Sequence, residues 1–247
     1  MILLSLDFET TGLEDTAEVT EVGAVLYTTG QKRVLEAAGF LVKTNLQVNQ
    51  EVIKKTGIHP KMLEKFGYPS DDALETLAEM YNQADAVIGQ NVIRFDKRVL
   101  QRWVQKHATI NGASSVGQMA EKLWSETRTD LPGVEGKSLI YMLADHGIIN
   151  PFPHMALSDC LSVLILAERY PIEKIVERAK SQTIVLVSKQ NRADNNLAKQ
   201  RKFRWNPDYK LWWKTIKEMD FAEETTGAPF EIAIAPPTIL IEKLWYD

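Results

Sequence analysis

The chain has 247 residues, 45% of them hydrophobic and 25% charged, and a net charge of −4, which excludes a fibrous or wholly disordered protein and predicts a folded globular one. Cys160 is the only cysteine, so no disulfide can form within the chain, and a reducing cytoplasm is the expected location. No apolar run reaches 18 residues, and we therefore expect no membrane span.

The opening stretch, MILLSLDFETTG, combines an apolar segment with two acids. Met1–Leu6 is predicted to be a buried strand, and alternate residues of a strand point to the same face. Asp7 and Glu9 are therefore expected side by side at the end of this strand. Two carboxylates this close repel each other unless a cation offsets their charge, which indicates a divalent-metal site. The alternative is two solvated acids, and partners elsewhere in the chain must decide between the two.

The segment after this strand predicts two more strands and then a series of helices. Glu18–Tyr27 and Lys32–Val42 are expected to be strands joined by a hairpin turn at Thr28–Gln31, and therefore antiparallel to each other. Ser70 is a candidate N-cap, because two aspartates follow it in the first turn of a helix. The expected elements are the helices Gln50–Thr56, Pro60–Phe66 and Ser70–Gln83, the buried strand Ala84–Gly89 and the helix Phe95–Lys106.

The central part of the chain completes a mixed α/β pattern. Gln118–Thr127 fits either a helix or a strand, and Ser138–His146 is expected to be a helix that Gly147 ends. A Pro-Phe-Pro segment forces an extended approach to His154, and a long amphipathic helix is predicted from Ala156 to Tyr170. A boundary near Lys180 divides the chain into domains of residues 1–180 and 181–247.

The second domain is predicted to be a small α+β module. Its expected elements are a strand at Thr183–Val187, a helix at Asn195–Lys202, a turn at Trp205–Asp208, a strand at Leu211–Ile216 and an edge strand at Phe230–Ala235.

Two further motifs stand in settings that suit a metal site. Asn91 and Phe95-Asp96 place Asp96 at a helix start directly after a buried strand. His154 precedes Asp159 by five positions, with the histidine in a loop and the acid on the following helix. Each motif alone is expected by chance, but their order and structural settings together favour one joint site.

The segments LDFETTGL, GQNVIRFD and HMALSD resemble the three motifs of the DnaQ-like 3′–5′ exonucleases, in the DEDDh subgroup with four acids and a histidine. The resemblance covers roughly residues 1–170. It implies an RNase H-like fold, which is a mixed five-stranded sheet with its first three strands antiparallel and with helices on its flanks. The basic, tryptophan-rich module of residues 181–247 would follow this exonuclease domain.

The resemblance also implies a role for each motif residue. Asp7, Glu9, Asp96 and Asp159 would ligate two divalent ions, Mg²⁺ or Mn²⁺, and His154 would be the general base. Asp7 would bridge the ions, Glu9 and Asp159 would hold the ion beside the attacking water, and Asp96 would hold the other. The chemistry agrees, because two ions can activate water and stabilise the leaving oxygen, oxygen ligands suit hard cations, and imidazole titrates near neutral pH.

Further positions match substrate contacts of the same family, and one position departs from its pattern. Met155 stands where many relatives carry an arginine, which removes one phosphate contact. The implied substrate-binding residues are Phe8, the backbone of Thr10 and Thr11, the wedge-like side chain of Leu13, and Asn91 and Phe95 of the second motif.

The tail combines basic and aromatic residues. Residues 181–217 carry nine basic and two acidic side chains, a balance of about +7, while the rest of the chain carries about −11. Basic residues bind phosphates and aromatic faces stack on bases, so the tail is a candidate site for single-stranded nucleic acid. Trp212 and Trp213 must point to opposite faces of a strand, and we expect one to fill a small core and the other to face solvent or another surface. The candidate strand-binding residues are Arg204, Trp205, Trp212 and Trp213. A module that only packs its aromatic side chains is the alternative.

The predicted function is a metal-dependent 3′–5′ exonuclease that releases nucleoside 5′-monophosphates from the 3′ ends of single-stranded DNA. A replication or repair protein, such as a polymerase, is a candidate partner. The alternatives are an exoribonuclease acting on RNA ends or short RNAs, a proofreading subunit, and a non-catalytic nucleic-acid-binding module on the same fold. Retention of all four acids and His154 argues against the last.

Overall fold

The structure, a computed structural model, describes residues 1–108, 114–131, 138–190 and 195–236. The chain forms two units, Met1–Ala179 and Lys180–Asp247. Among the described residues, no helix is both long enough and apolar enough to cross a membrane.

The first unit contains five strands and most of the helices. The strands are β1 (Ile2–Thr10), β2 (Val19–Thr28), β3 (Arg33–Leu41), β4 (Ala86–Gly89) and β5 (Leu123–Glu126). The helices are α1 (Gln50–Thr56), α2 (Pro60–Phe66), α3 (Ser70–Gln83), α4 (Asp96–Ala108), α5 (Thr127–Asp130), α6 (Leu139–Asp145), α7 (Ala156–Ala167) and α8 (Ile172–Lys180), with a 3-10 turn at Ser115–Gln118.

The strand order of the main sheet is β3-β2-β1-β4-β5. Both the β1–β2 and β2–β3 pairs are antiparallel, whereas β4 runs parallel to β1 and β5 runs parallel to β4. This confirms the predicted mixed sheet with three antiparallel strands at its start. The carboxyl ends of β1, β4 and β5 consequently meet at one edge of the sheet, where loops can carry functional side chains.

The side chains of β1 point alternately into two hydrophobic cores, one on each face of the sheet. Leu4, Leu6 and Phe8 pack on one face with apolar residues of α3 and α4, while Leu3 packs on the other face with residues of α6 and α7. Ser5 belongs to this second face, because its hydroxyl donates to the Cys160 carbonyl of α7 at 3.0 Å. By the same alternation, Asp7 and Glu9 lie on the α7 face.

The structure corrects or refines three local predictions for this unit. β1 runs to Thr10 rather than ending at Leu6, so the two acids lie within the strand, where β2 continues to pair with it. Ser70 is the first residue of α3, whose cap position is Pro69, and its hydroxyl accepts a hydrogen bond from Trp103 Nε1 instead of capping. Of the ambiguous segment, Leu123–Glu126 is strand, buried beside β4.

The described elements of the second unit are β6 (Thr183–Ser188), α9 (Asn195–Gln200), β7 (Arg204–Asn206), β8 (Leu211–Lys217), a 3-10 turn at Glu218–Asp220, α10 (Phe221–Thr225) and the two-residue edge strand β9 (Ala233–Ile234). The four strands form an antiparallel sheet of order β7-β8-β6-β9. The predicted turn at Trp205–Asp208 is therefore displaced. Trp205 and Asn206 are strand residues, and the turn comes after them, where Asn206 Oδ1 accepts from the Tyr209 backbone N–H at 2.9 Å.

Candidate active site

Gly23 allows α7 to lie directly against the sheet beside the acids of β1. It pairs with Asp7 in the β1–β2 register, and a Cβ atom at this position would stand 2.2 Å from the Ala156 carbonyl carbon. The Cys160 thiol also reaches the Gly23 carbonyl, with the two atoms 3.2 Å apart. Since any side chain at position 23 would push the start of α7 away, this close approach is what brings Asp159 to the Asp7 face.

Asp96 reaches the same edge of the sheet from α4. Its carboxylate is buried, 1% exposed, and Oδ1 accepts from the Phe8 backbone N–H at 2.8 Å. The turn before α4 is held by Glu126 of β5, whose Oε1 accepts from the Asn91 backbone N–H at 2.8 Å. Asn91 itself has φ +60°, a left-handed conformation that asparagine tolerates better than most residues.

Electrostatic repulsion among the acids shows how closely they are grouped. Burial raises the pKa of Asp7 well above its usual value, and the charges of Asp96, Glu9, Asp159 and Glu21 raise it further. Burial likewise raises the pKa of Asp96 and of Asp159, and it raises the pKa of Glu9 to about 7 although Lys55 opposes it. The predicted acids therefore act on one another electrostatically and form one acidic cluster.

His154 lies in the loop directly before α7 and is half-buried. Its backbone is left-handed, with φ +65°, and its backbone N–H donates to the Asp159 carboxylate. Burial lowers the pKa of the imidazole, and the positive charge of Lys55 lowers it further. The ring is consequently neutral at pH 7 and can accept a proton.

The acid cluster fits divalent cations by charge and by ligand chemistry. Its carboxylates are held near one another at a cost that a bound cation would offset, and oxygen donors suit Mg²⁺ and Mn²⁺. Within the described ranges, no three His, Cys, Asp or Glu side chains already stand as a ligand set around one point. A bound cation would offset the repulsion between these carboxylates and allow them to converge on it.

Three charged residues of the site were missed by the sequence analysis. Glu21 lies opposite Glu9 in the β1–β2 pair, and its carboxylate accepts from the Ala156 backbone N–H at the start of α7 at 3.2 Å. Glu126 is 7% exposed and raises the pKa of Asp96, and Lys55 is an exposed residue of α1. Only Glu21 had a sequence signal, since antiparallel pairing of the first two strands places it near Glu9.

The predicted substrate-binding residues differ in how exposed they are. Leu13 is 86% exposed and free to contact a ligand. Phe95 is half-buried against the main core, and the Asn91 backbone N–H is bound to Glu126. Phe8 requires a correction, because its ring is 3% exposed on the core face, where it packs edge-on to Trp103 at 6.0 Å. Its contribution to the site is the backbone N–H that holds Asp96.

Thr10 and Thr11, at the end of β1 and directly after it, are buried and already hydrogen-bonded. Thr10 Oγ1 donates to the Gly12 carbonyl at 2.6 Å. The Thr11 backbone N–H donates to the Glu18 carbonyl, and its carbonyl accepts from the Asn49 N–H, both at 2.9 Å. These bonds fix the turn that carries Leu13, and a substrate contact through the Thr11 N–H would have to replace one of them.

The candidate residues of the tail are mostly interior. Trp212 is 2% exposed and packs with Phe203 and Ile216 on one face of the small sheet. Trp213 is 5% exposed and packs on the opposite face, so of the two expected alternatives, solvent or another surface, the second is the one found. Both faces of this short strand are apolar, which the sequence pattern of adjacent tryptophans does not reveal.

The basic residues of the tail differ in their exposure and in their ion pairs. The Arg204 guanidinium is exposed and lies 5.9 Å from the Trp213 ring centre, while Trp205 is half-buried. Glu224 neutralises two of the basic residues, since its carboxylate forms salt bridges with Arg201 and Lys214. Arg192, a further base of this stretch, lies outside the described residues. The exposed basic residues among the described part of this stretch are Lys189, Lys199, Lys202, Arg204 and Lys210.

The stability of the cation-free protein is expected to fall as pH rises from about 5 to 8. Glu9 ionises near pH 7 in the folded chain but near 4.5 when unfolded, so the native state binds the extra proton and loses that advantage as pH increases. One such group changes the free energy of unfolding by up to about 1.4 kcal/mol per pH unit. Chemical denaturation of wild type and Glu9→Gln measures this, and the variant should be equally stable at pH 5 and more stable at pH 8. Equal stability at both pH values would contradict the expectation.

The exonuclease family model, RNase_T, matches residues 4–167. This match confirms the family resemblance that the three motifs predicted. The comparison with curated proteins gives no match.

Solved structures of Escherichia coli exonuclease I share the fold. The complex with a dT13 oligonucleotide has 15% sequence identity and a TM-score of 0.57, covering 78% of this chain and 49% of that one. The zinc-bound complex with single-stranded DNA has 14% identity and a TM-score of 0.62, covering 78% and 48%. The complex with an SSB C-terminus has 14% identity and a TM-score of 0.59, covering 78% and 49%. The likeness confirms the RNase H-like fold, and the chain spans about half the length of these proteins.

Proposed function

Because the chain belongs to the exonuclease family, whose domain it matches over residues 4–167, we propose that it is a metal-dependent 3′–5′ exonuclease that hydrolyses single-stranded DNA to nucleoside 5′-monophosphates. The observation that carries the proposal is the meeting of acids from β1, α4 and α7 in one cluster beside a neutral histidine. An anionic cluster of this kind repels a phosphodiester, and cations held by the acids would make the same place attractive to it.

Asp7, Glu9, Asp96 and Asp159 would hold two divalent cations, Mg²⁺ or Mn²⁺. When bound, such ions supply an activated water and stabilise charge on the leaving oxygen. The chain's own contribution is placement: β1 fixes Asp7 and Glu9 on one face, the Phe8 N–H fixes Asp96, and the contact of Gly23 with Ala156 fixes the start of α7.

His154 would take the proton from the attacking water. Its imidazole is neutral at pH 7 because burial and the nearby Lys55 charge disfavour the protonated form. A base in this state needs no prior deprotonation at physiological pH. The imidazolium formed by the transfer would be stabilised by the carboxylate of Asp159, whose charge already raises the affinity of His154 for a proton.

Two further features suit a strand with a free 3′ end. Leu13 is an exposed apolar side chain three residues after β1 ends, where it would press against the terminal base. In the second unit, Arg204 and the exposed lysines Lys189, Lys199, Lys202 and Lys210 would bind phosphates of the strand. The choice of single-stranded DNA is supported by the oligonucleotide complexes of the structurally similar exonuclease I.

Digestion of end-labelled oligonucleotides tests the proposal directly. Labelled at the 5′ end, single-stranded DNA should yield a ladder of shortening products; labelled at the 3′ end, it should release mononucleotide first. A chelator should stop both reactions, and Mg²⁺ or Mn²⁺ should restore them. The same digestion with RNA reports the sugar preference, and we expect DNA to be cleaved faster. Cleavage that starts at the 5′ end, or that persists in the chelator, would contradict the proposal.

A further inference from the structure

Asn150 makes three hydrogen bonds that join the loop before α7 to the first turn of that helix. Its side-chain amide donates to Asp159 Oδ1 at 2.5 Å. Its side-chain oxygen accepts from Ser158 Oγ at 2.5 Å and from the Phe152 backbone N–H at 3.0 Å. An amide oxygen has two lone pairs, so both are used, and the donor side of the same group is directed at an acid of the cluster.

The loop closed by these bonds carries His154. The His154 backbone N–H donates to the Asp159 carboxylate that Asn150 also binds. His154 has φ +65°, and a non-glycine residue keeps such a conformation only when the surrounding contacts determine it. Asp159 therefore accepts hydrogen bonds from both ends of the loop segment 150–154, and the amide of Asn150 closes that arrangement.

We propose that Asn150 is a positioning residue, which fixes the orientation of the Asp159 carboxylate and fastens to it the loop that carries His154. The terminal torsion of an aspartate is broad, so a fixed donor on one oxygen decides where the other oxygen points. This inference rests on the proposed function for its kinetic consequence, but the hydrogen bonds act in the folded protein with or without substrate.

Replacement by aspartate separates the hydrogen bonds of Asn150 that shape the loop from its hydrogen bond to Asp159. Asn150→Asp keeps an oxygen for Ser158 and for the Phe152 N–H, since aspartate forms the same side-chain-to-backbone turn as asparagine. It removes the donor to Asp159 and sets two carboxylates against each other. Asn150→Ala removes all three bonds. If Asn150 only shaped the loop, the aspartate variant would behave as wild type.

We expect both variants to lower kcat on single-stranded DNA by on the order of 10–100-fold, as removal of partners of metal-binding side chains does. KM for the oligonucleotide should change by less than about threefold, because the bonds lie at the acid and not at a substrate contact. A wild-type kcat in Asn150→Asp overturns the proposal. The matched control is Asn82→Ala in α3, which removes another half-buried amide donor, bonded to the Ser115 carbonyl at 3.0 Å, and should leave kcat unchanged.

Two readouts do not depend on cleavage. Hydrogen exchange at the Phe152 amide should be as slow in Asn150→Asp as in wild type and faster in Asn150→Ala. The rise in melting temperature that Mn²⁺ produces should be smaller in Asn150→Ala than in the Asn82→Ala control. If the Phe152 amide loses its protection in Asn150→Asp as well, the kinetic loss comes from the loop alone and the proposal fails. A wild-type protein without cleavage would refute the proposed function, whereas these two readouts would still test Asn150.

Discussion

Asp7→Asn is expected to lower the rate of DNA cleavage by on the order of 10³-fold or more and, at the same time, to stabilise the cation-free protein. The loss follows from the position of Asp7 in the cluster, where four other acids act on its charge. A cation stabilises a phosphoryl transition state by several kcal/mol, and about 1.4 kcal/mol corresponds to a tenfold change in rate. Removing an acid on which four others act removes most of that stabilisation.

The gain in stability has the same origin as the loss of activity. The buried carboxylate of Asp7 is repelled by Asp96, Glu9 and Asp159 when no cation is present, and asparagine has nearly the same shape without the charge. Thermal or chemical unfolding at pH 8 in a chelator should therefore show Asp7→Asn above wild type. Added Mg²⁺ should raise the melting temperature of wild type by much more than that of the variant.

Asp72→Asn removes an exposed acid in the first turn of α3, and it should retain cleavage and the response to Mg²⁺. Substantial cleavage by Asp7→Asn would remove Asp7 from the metal site. A variant that is inactive because it is less stable than wild type at pH 8 would show that Asp7 holds the fold and not an ion.

The antiparallel part of the sheet was predictable because each of its strands pairs with the next one along the chain and has a strong apolar pattern. The hairpin between β2 and β3 follows from two apolar runs and a turn, and the register of an antiparallel pair follows from the length of that turn. The exact end of β1 was not predictable, because Asp7 and Glu9 lower the apolar content where pairing with β2 still continues. Hydrogen bonding to a neighbouring strand overrides local composition there.

The acids of the site were predictable as a set, but the residues that surround and contact them were not. Asp7, Glu9, Asp96, His154 and Asp159 belong to motifs with fixed spacing, whereas Glu126 and Lys55 reach the site from β5 and α1 through long-range packing. Asn150 lies nine residues before Asp159, and only the folded loop shows that the two side chains meet. In the second unit, the pattern of adjacent tryptophans left open whether the second indole faces solvent or another surface, and only the fold shows that Trp213 is covered.

His154→Asn is expected to lower kcat by on the order of 10²–10⁴-fold, which is the contribution of a positioned general base. Asparagine suits the left-handed backbone at φ +65°, so the loop should keep its shape while the proton acceptor is lost. The wild-type rate should rise with pH as the imidazole, whose pKa is lowered by burial and by Lys55, becomes neutral. That limb of the profile should disappear in the variant.

The stabilisation of His154→Asn by Mg²⁺ should match that of wild type, because the proposed base touches the water and not the ion. This separates His154 from Asp7, whose replacement removes cleavage and the response to Mg²⁺ together. His59→Asn is the matched control, since His59 is exposed at the start of α2 and should alter neither quantity. If His154→Asn loses the Mg²⁺ response along with cleavage, the imidazole is a ligand, and the proton must pass to another group of the cluster.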